Sequence, residues 1–183
     1  MGEQDWPGRF PRLFTEAHVG YADCRVRFTT EPVPAELVSR MHVVPVTADG
    51  RMLVCRSAQG WRFLPGGTRE PGESVPQLVA RELREEAGAR LLDGPRYLGA
   101  FVADSARPGP FRPHLPHPRS YWAYGVARVC RDGPPVNPPD GERVVEVLAL
   151  RPQEAAAYLD GHDPVDGDVV RLAAAMGLLA GDG

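Results

Sequence analysis

The chain has 183 residues, of which 43% are hydrophobic and 25% charged, and its formal net charge is −3. This length and composition are typical of one globular domain with an adequate core. All 21 basic residues are arginines, scattered along the chain rather than clustered, which argues against nucleic acid as a partner.

Neither a targeting segment nor a disulfide framework is indicated. No stretch approaches about 18 apolar residues, and the N-terminus lacks the apolar core of a signal peptide, so we expect a cytoplasmic protein with no membrane contact. The three cysteines, Cys24, Cys55 and Cys130, are an odd number without C-x-x-C spacing. They are therefore expected to be small buried hydrophobes in a reducing compartment.

Alternation of apolar and polar residues predicts several β-strands. The first, at 21–30, lies in an N-terminal extension, residues 1–35, and its even-numbered residues form one apolar face. The other predicted strands lie at 40–47, 51–56, 96–103, 121–129 and 142–150. Helices are predicted across 152–159 and 168–179, the second from its apolar repeat.

The segment 105–120, SARPGPFRPHLPHPRS, interrupts every periodicity with prolines, arginines and histidines. A loop of this length inside a compact domain is usually functional or disordered.

The most informative stretch is residues 64–91, LPGGTREPGESVPQLVARELREEAGARL. It indicates a glycine-rich turn followed by a helix. Ser74 is a favourable N-cap, Pro76 lies in the first turn where its missing N–H is harmless, and Gly88 ends the helix.

The predicted helix has an apolar arc and an acidic arc. The apolar arc, which is expected to be buried, consists of Val79, Ala80, Leu83 and Ala87. Glu82, Glu85 and Glu86 repel one another, and the last two lie where the helix dipole disfavours anions. Either the face is solvated, with Arg81 and Arg84 offsetting the charge, or a hard cation such as Mg²⁺ supplies the missing positive charge.

The whole pattern, G-x5-E-x7-R-E-L-x-E-E-x-G from Gly67 to Gly88, resembles the signature of the Nudix hydrolase family (MutT-like). Its one departure is Ala89, where the family favours a larger aliphatic residue. The resemblance implies an α/β fold, a Nudix-type α/β/α sandwich with a mixed central sheet. We expect a single domain over residues 1–183, with the signature helix on one face and the C-terminal helix on the other.

The resemblance also implies a metal site. Glu82, Glu85 and Glu86 match the family's divalent-metal ligands, and a backbone carbonyl of the Gly66-Gly67 turn often joins them. The implied cofactor is Mg²⁺, with Mn²⁺ as the alternative. Glycine lets the backbone point a carbonyl at a cation without a Cβ in the way.

Two further roles follow from the same resemblance. Glu73 matches the residue that pairs with the signature arginine, here Arg81, and holds the loop against the catalytic helix. A general base or extra ligand often precedes the last strand, where Glu142 and Glu146 both qualify. A glutamate of the signature helix is the third option.

Six residues are candidates for substrate binding. They are Arg56, Trp61, Phe63, Arg112, His114 and His117. Trp61 and Phe63 lie in the lead-in to the glycine turn, where an aromatic is common near the substrate, but they could equally be core residues. The histidines and Arg112 lie in the 105–120 loop, which is either a lid over the metal site or a solvated excursion.

The implied activity is metal-dependent hydrolysis of a phosphoanhydride in a nucleoside diphosphate linked to another group. A nucleoside triphosphate, ADP-ribose and a nucleotide sugar all remain open as substrates. The alternative is a Nudix-fold module that binds a nucleotide without hydrolysing it; such relatives tend to lose the ligand carboxylates, and this chain keeps three. N-terminal additions serve dimerisation in ADP-ribose-type relatives, so a homodimer is a further expectation.

Overall fold

In the computed structural model, the described residues, 4–139, 141 and 143–180, form a mixed β-sheet with helices on both faces. The strands are β1 Ala17–Val19, β2 Cys24–Thr29, β3 Val38–Val46, β4 Met52–Ser57, β5 Arg62–Phe63, β6 Gly66–Thr68, β7 Ala89–Leu91, β8 Arg96–Ser105, β9 Arg119–Arg131 and β10 Val144–Leu150. The helices are α1 Trp6–Arg9, α2 Pro11–Phe14, α3 Val75–Glu82, α4 Pro152–Asp160 and α5 Pro164–Ala175. A π-helical turn, Leu83–Ala87, continues α3.

The main path of the sheet runs β1-β2-β8-β9-β3-β4-β10. The central pair, β3 and β9, is parallel, while the neighbouring pairs are antiparallel. The short strand β6 pairs with β3, which sets Gly67 opposite Met41 and Gly66 opposite His42. The glycine-rich turn is therefore fixed to the centre of the sheet.

Each face of the sheet has its own apolar cluster. On one face α3 and the π turn bury Leu78, Val79 and Leu83 against the sheet. On the other face Leu159 of α4 and Leu172 of α5 pack into a second cluster. The predicted α/β/α sandwich with a mixed central sheet is confirmed.

The N-terminal extension packs against its own chain. Phe10 and Leu13 are buried in the cluster that holds α4 and α5. In β2, Cys24, Val26 and Phe28 are buried while the residues between them are exposed, as the alternation predicted. Dimerisation through this segment stays a prediction.

The predicted strands are confirmed, with ends that shift by up to a few residues. Of the 105–120 segment, residues 106–118 are irregular, because Ser105 ends β8 and β9 begins at Arg119. The final helix begins at Pro164 rather than at residue 168, because Asp163 caps it by accepting from the Val165 N–H at 2.9 Å.

One expectation for the signature helix is wrong. Ala80 is exposed, and Leu78 and Glu82 are buried instead. A helical wheel drawn at about 100° per residue does not apply to the π turn, because a π turn has more residues per turn than an α-helix. Ala87 therefore stays over the buried face. The buried stripe is therefore centred near Val79 and leaves Ala80 outside it.

The three cysteines are free; Cys24 and Cys55 are buried, and Cys130 is partly exposed. None of the helices in the described ranges has the length and apolar character needed to cross a membrane.

Candidate functional site

The signature helix is held at both ends. At its start Ser74 and Gln77 form a reciprocal capping box, with the Ser74 N–H donating to Gln77 Oε1 at 2.8 Å. At its end the Asn137 N–H donates to the carbonyl of Glu85 at 3.2 Å, and Cys55 Sγ lies 3.3 Å from the carbonyl of Glu86. These partners satisfy carbonyls that a helix end leaves unpaired, so the backbone that carries the glutamates is fixed.

Arg81 connects the helix to the glycine-rich turn. Its guanidinium donates to both carboxylate oxygens of Glu73, at 2.8 and 3.1 Å, and to the Thr68 carbonyl at 3.2 Å. Its Nη1 atom lies between Glu82 Oε1, at 2.8 Å, and Glu85 Oε2, at 3.3 Å. One arginine thus neutralises part of the acidic face and orients three carboxylates.

The glycine turn touches the glutamates directly. The Gly66 N–H donates to Glu86 Oε2 at 2.9 Å. A Cβ on Gly67 would lie 2.2 Å from Glu82 Oε1, and one on Gly66 would lie 2.3 Å from the Met41 carbonyl oxygen. Only glycine allows this approach of backbone to carboxylate.

Burial and Arg81 act in opposite directions on the pKa values of Glu82 and Glu73. Glu82 is only 7% exposed, and burial raises its pKa, an effect that Arg81 offsets only in part. Burial also acts to raise the pKa of Glu73, but hydrogen bonds from Arg81 and from the Glu70 backbone outweigh it and lower that pKa. Hydrogen bonding to Glu73 in turn raises the pKa of Arg81 above its usual value.

These groups line one cleft of about 260 Å³. Its acidic residues are Glu70, Glu82, Glu85 and Glu86, and its remaining lining residues include Gly66, Gly67, Arg81 and Arg112. Sequence reasoning did not single out Glu70, although it lies in the same turn as Glu73. Glu70 Oε1 is 4.0 Å from Arg81 Nε.

The donor set suits a hard divalent cation, since it consists of carboxylate and backbone oxygens. Glu82 and Glu85 currently engage Arg81, and Glu86 engages the Gly66 N–H. In this arrangement, no group of three or more His, Cys, Asp or Glu side chains within residues 4–139, 141 and 143–180 is placed to hold a metal ion. Cation binding would therefore exchange some of these hydrogen bonds for coordination.

Of the three substrate-binding candidates in the 105–120 loop, one lines the glutamate cleft. Arg112 lines the glutamate cleft. His114 Nε2 lies 2.8 Å from the Arg69 carbonyl, beside the cleft, whereas His117 Nε2 lies 2.9 Å from the Arg107 carbonyl within the loop itself.

The remaining candidates lie elsewhere. Arg56 donates from Nε to Glu146 Oε2 at 2.8 Å, and neither residue lines the glutamate cleft. Glu142 lies outside the described residues. Trp61 and Phe63 line a second, adjoining cleft that shares Gly66 and Glu86 with the first.

The fold and the site together define an α/β protein whose central sheet presents a glycine turn to a carboxylate-bearing helix. The family model described as NUDIX domain matches residues 37–173. The chain belongs to the Nudix family.

Two curated relatives match parts of the chain. The "Uncharacterized Nudix hydrolase YvcI" of Bacillus subtilis is 42% identical over 56 residues, 31% of this chain and 35% of that protein. The "NAD-capped RNA hydrolase NudC" of Stutzerimonas stutzeri is 44% identical over 64 residues, 32% of this chain and 22% of that protein. The matches thus span about a third or less of these relatives.

Solved structures support the fold. The crystal structure of a mutant of the Bacillus subtilis pyrophosphohydrolase BsRppH has a TM-score of 0.63 at 16% identity, covering 91% of this chain and 100% of that one. A NUDIX hydrolase from Nitrosomonas europaea has a TM-score of 0.56 at 20% identity, covering 76% of this chain and 90% of that one.

Proposed function

We propose that the chain is a divalent-metal-dependent hydrolase that cleaves the phosphoanhydride of a nucleoside diphosphate linked to another group. The observation that carries the proposal is the convergence of Glu82, Glu85 and Glu86 with the Gly66-Gly67 turn in one cleft. A cleft that collects this much negative charge favours a cation and, through it, a diphosphate.

The protein's own residues have separate roles in this proposal. Glu82, Glu85 and Glu86 hold Mg²⁺ or Mn²⁺, with a carbonyl of the glycine turn as a further ligand. When bound, the cation supplies charge neutralisation for the diphosphate and activation of the attacking water. Glu73 acts only by fixing Arg81, which in turn orients Glu82 and Glu85.

The general base is proposed to be a glutamate of the signature helix, with Glu142, which lies outside the described residues, as the alternative. Glu146 has its carboxylate paired with Arg56 and does not line the cleft, so it is less suited to take a proton from water there. Arg112, from the 105–120 loop, lines the cleft, and in this proposal its guanidinium contacts a phosphate of the substrate.

The substrate class is tested with a panel. The full chain is incubated with nucleoside triphosphates, ADP-ribose, nucleotide sugars, NAD⁺ and an NAD-capped oligonucleotide, with and without MgCl₂, and products are identified by mass spectrometry. We expect metal-dependent release of a nucleoside monophosphate from at least one substrate. Binding without turnover across the panel would instead support the non-catalytic nucleotide-binding module.

The assignment of roles is tested with Glu86→Gln, which keeps the shape of the side chain and removes its charge. We expect turnover to fall by about a hundredfold or more, because a charged ligand of the reacting centre is lost. Glu36→Gln, the same change at an exposed position outside the cleft, is the control. Full activity of Glu86→Gln, with both variants folded by circular dichroism, would refute the roles.

A further inference from the structure

The second cleft, of about 560 Å³, continues from the glutamate cleft and shares Gly66 and Glu86 with it. Its volume is within the range of small-molecule sites. The N-terminal extension forms part of its wall through Arg12, Thr15 and Val19, all of which precede the residues matched by the family model. A substrate whose diphosphate occupies the glutamate cleft would extend either its nucleoside or its other linked group into this space.

One wall of this second cleft is aromatic. Phe101 of β8 and Trp122 of β9 are register partners, and Tyr124 follows on the same strand. Arg40 lies over the Trp122 ring, 4.5 Å from its centroid. At the rim Trp61 is 51% exposed. Flat aromatic surfaces of this kind stack on nucleobases.

The same cleft contains a buried carboxyl group on α5. Asp166 lines the cleft and is only 7% exposed. Its Oδ1 accepts from Tyr124 Oη at 3.3 Å, and the Leu64 backbone also hydrogen-bonds to the carboxyl group. Two carboxyl oxygens have about four lone-pair sites, so acceptor capacity is left over. By contrast, Asp168 on the same helix forms an ion pair with Arg171 at 3.1 Å.

Across the described ranges, no arginine or histidine lies within ion-pair distance of Asp166. Burial, reinforced by the nearby Asp163, raises its pKa to about 7. When it is ionised, a buried carboxyl group without a cation carries a desolvation cost, and here the Tyr124 hydroxyl and the Leu64 backbone offset part of that cost. In either protonation state it has an oxygen that accepts a hydrogen bond.

We propose that the second cleft holds the nucleobase of the substrate, stacked near Trp122, and that Asp166 selects a base with an exocyclic amine. The inference rests on the proposed function, since the diphosphate is taken to occupy the glutamate cleft. An exocyclic amine donates to the carboxyl group. A base with an oxo group or a bare carbon at that position offers no such donor.

The test measures binding separately from turnover. The full chain is titrated with AMP, GMP and IMP in the absence of metal, and binding is followed by tryptophan fluorescence and calorimetry. Because hypoxanthine has an oxo group where adenine has its amine, and lacks the amine of guanine, IMP is the matched control. At pH 8, where Asp166 is ionised and can only accept, we expect AMP or GMP to bind at least about tenfold more tightly than IMP, as a hydrogen bond to a carboxylate predicts.

Asp166→Asn tests whether Asp166 is the group responsible for the preference for AMP or GMP over IMP. An amide can donate as well as accept, so we expect the preference over IMP to shrink to about twofold or less. Asp168→Asn, a matched change on the same helix at a residue that does not line the cleft, should keep the preference. Trp122→Leu should lower the affinity for every nucleotide that binds by a similar factor, about tenfold, because stacking depends little on which base is stacked.

The outcomes separate this inference from the proposed function. Equal affinity for the three nucleotides, no binding of any, or loss of the preference in Asp168→Asn as well would overturn the selection by Asp166. Metal-dependent turnover without base preference would leave the hydrolase proposal standing and refute this inference alone. Base preference that depends on Asp166, without turnover of any substrate, would support the subsite and refute the hydrolase.

Discussion

At the scale of single residues, Arg81 shows how one side chain determines the state of the acidic face. Its five hydrogen bonds reach Glu73, Thr68, Glu82 and Glu85, so it compensates part of the negative charge on the acidic face. The glutamates are thereby held close together before any cation binds. A divalent ion would have to replace the contacts of Arg81 with Glu82 and Glu85 in order to coordinate their carboxylates.

Replacing this residue by Arg81→Ala should lower the free energy of unfolding by about 3 kcal/mol, because Glu73 and Glu82 would be left buried without their cation. The measurement is urea denaturation followed by circular dichroism. Arg84→Ala, on the adjacent π turn with an exposed side chain, should change stability little. Equal midpoints for the two variants would mean that the network contributes no net stability.

Asp166 gives a prediction for the pH dependence of stability. The folded protein keeps this proton up to about pH 7, whereas the unfolded chain releases it near 3.8. Between these values folding takes up a proton, so the contribution of Asp166 to the free energy of unfolding falls as pH rises. Asp166→Asn removes that contribution.

We therefore expect Asp166→Asn to melt at a higher temperature than the wild type at pH 8 and to differ least near pH 4. Differential scanning calorimetry from pH 4 to 8 measures this difference. Asp168→Asn controls for loss of a carboxylate on the same helix. A difference between wild type and Asp166→Asn that is independent of pH would contradict the raised pKa.

At the scale of elements, the glycine turn, which is part of β6, makes one close contact with strand β3 and another with the signature helix. At Gly66 a Cβ would meet backbone, the Met41 carbonyl at 2.3 Å and His42 Cα at 2.4 Å. At Gly67 the nearest atoms belong to the Glu82 carboxylate, which is the far end of a side chain and not backbone. The two positions should therefore respond differently to the same substitution.

Gly66→Ala should destabilise the fold by on the order of 2 kcal/mol or more, because the pairing of β6 with β3 must open. Gly67→Ala should keep the melting temperature near that of the wild type but reduce metal-dependent turnover by about a hundredfold, because the Glu82 carboxylate is displaced. Thermal melting and steady-state kinetics on both variants test the contrast. Similar stability losses in both would show that the turn acts only as packing.

Local signals in the sequence were sufficient to predict most of the elements. Ser74, Pro76 and Gly88 predicted the ends of the signature helix, and alternation predicted the strands. Asp163 and Pro164 are an equally local signal for the start of α5, and the prediction missed it by giving priority to the apolar repeat. The π turn was not predictable, since a hydrophobic wheel assumes one regular period.

The second cleft could not be predicted because it depends on tertiary structure. Its lining combines His42 of β3, Tyr124 of β9 and Asp166 of α5, which are far apart in the chain. In the sequence Asp166 is an ordinary acidic residue near a helix start, where carboxylates are common. Only the parallel pairing of β3 with β9 and the position of α5 on that face bring these groups together.

At the scale of the whole molecule, the N-terminal extension belongs to the folded unit. Leu13 is fully buried among residues of α4 and α5, and Phe14 packs edge-on against Phe28 with ring centroids 5.3 Å apart. The same segment contributes Arg12 and Thr15 to the second cleft. Its position links the stability of the extension to the shape of the proposed base site.

Leu13→Ala tests that link, since it removes a fully buried side chain that lies outside the family-matched residues 37–173. We expect a loss of about 3 kcal/mol in the free energy of unfolding, as for other large-to-small core changes. Glu16→Ala, at an exposed position in the same extension, should have little effect. Urea denaturation gives both midpoints and slopes. If Leu13→Ala matched the wild type, the extension would be a dispensable addition, and the wall that it forms beside Asp166 would have to be reassigned to the remaining residues of the cleft.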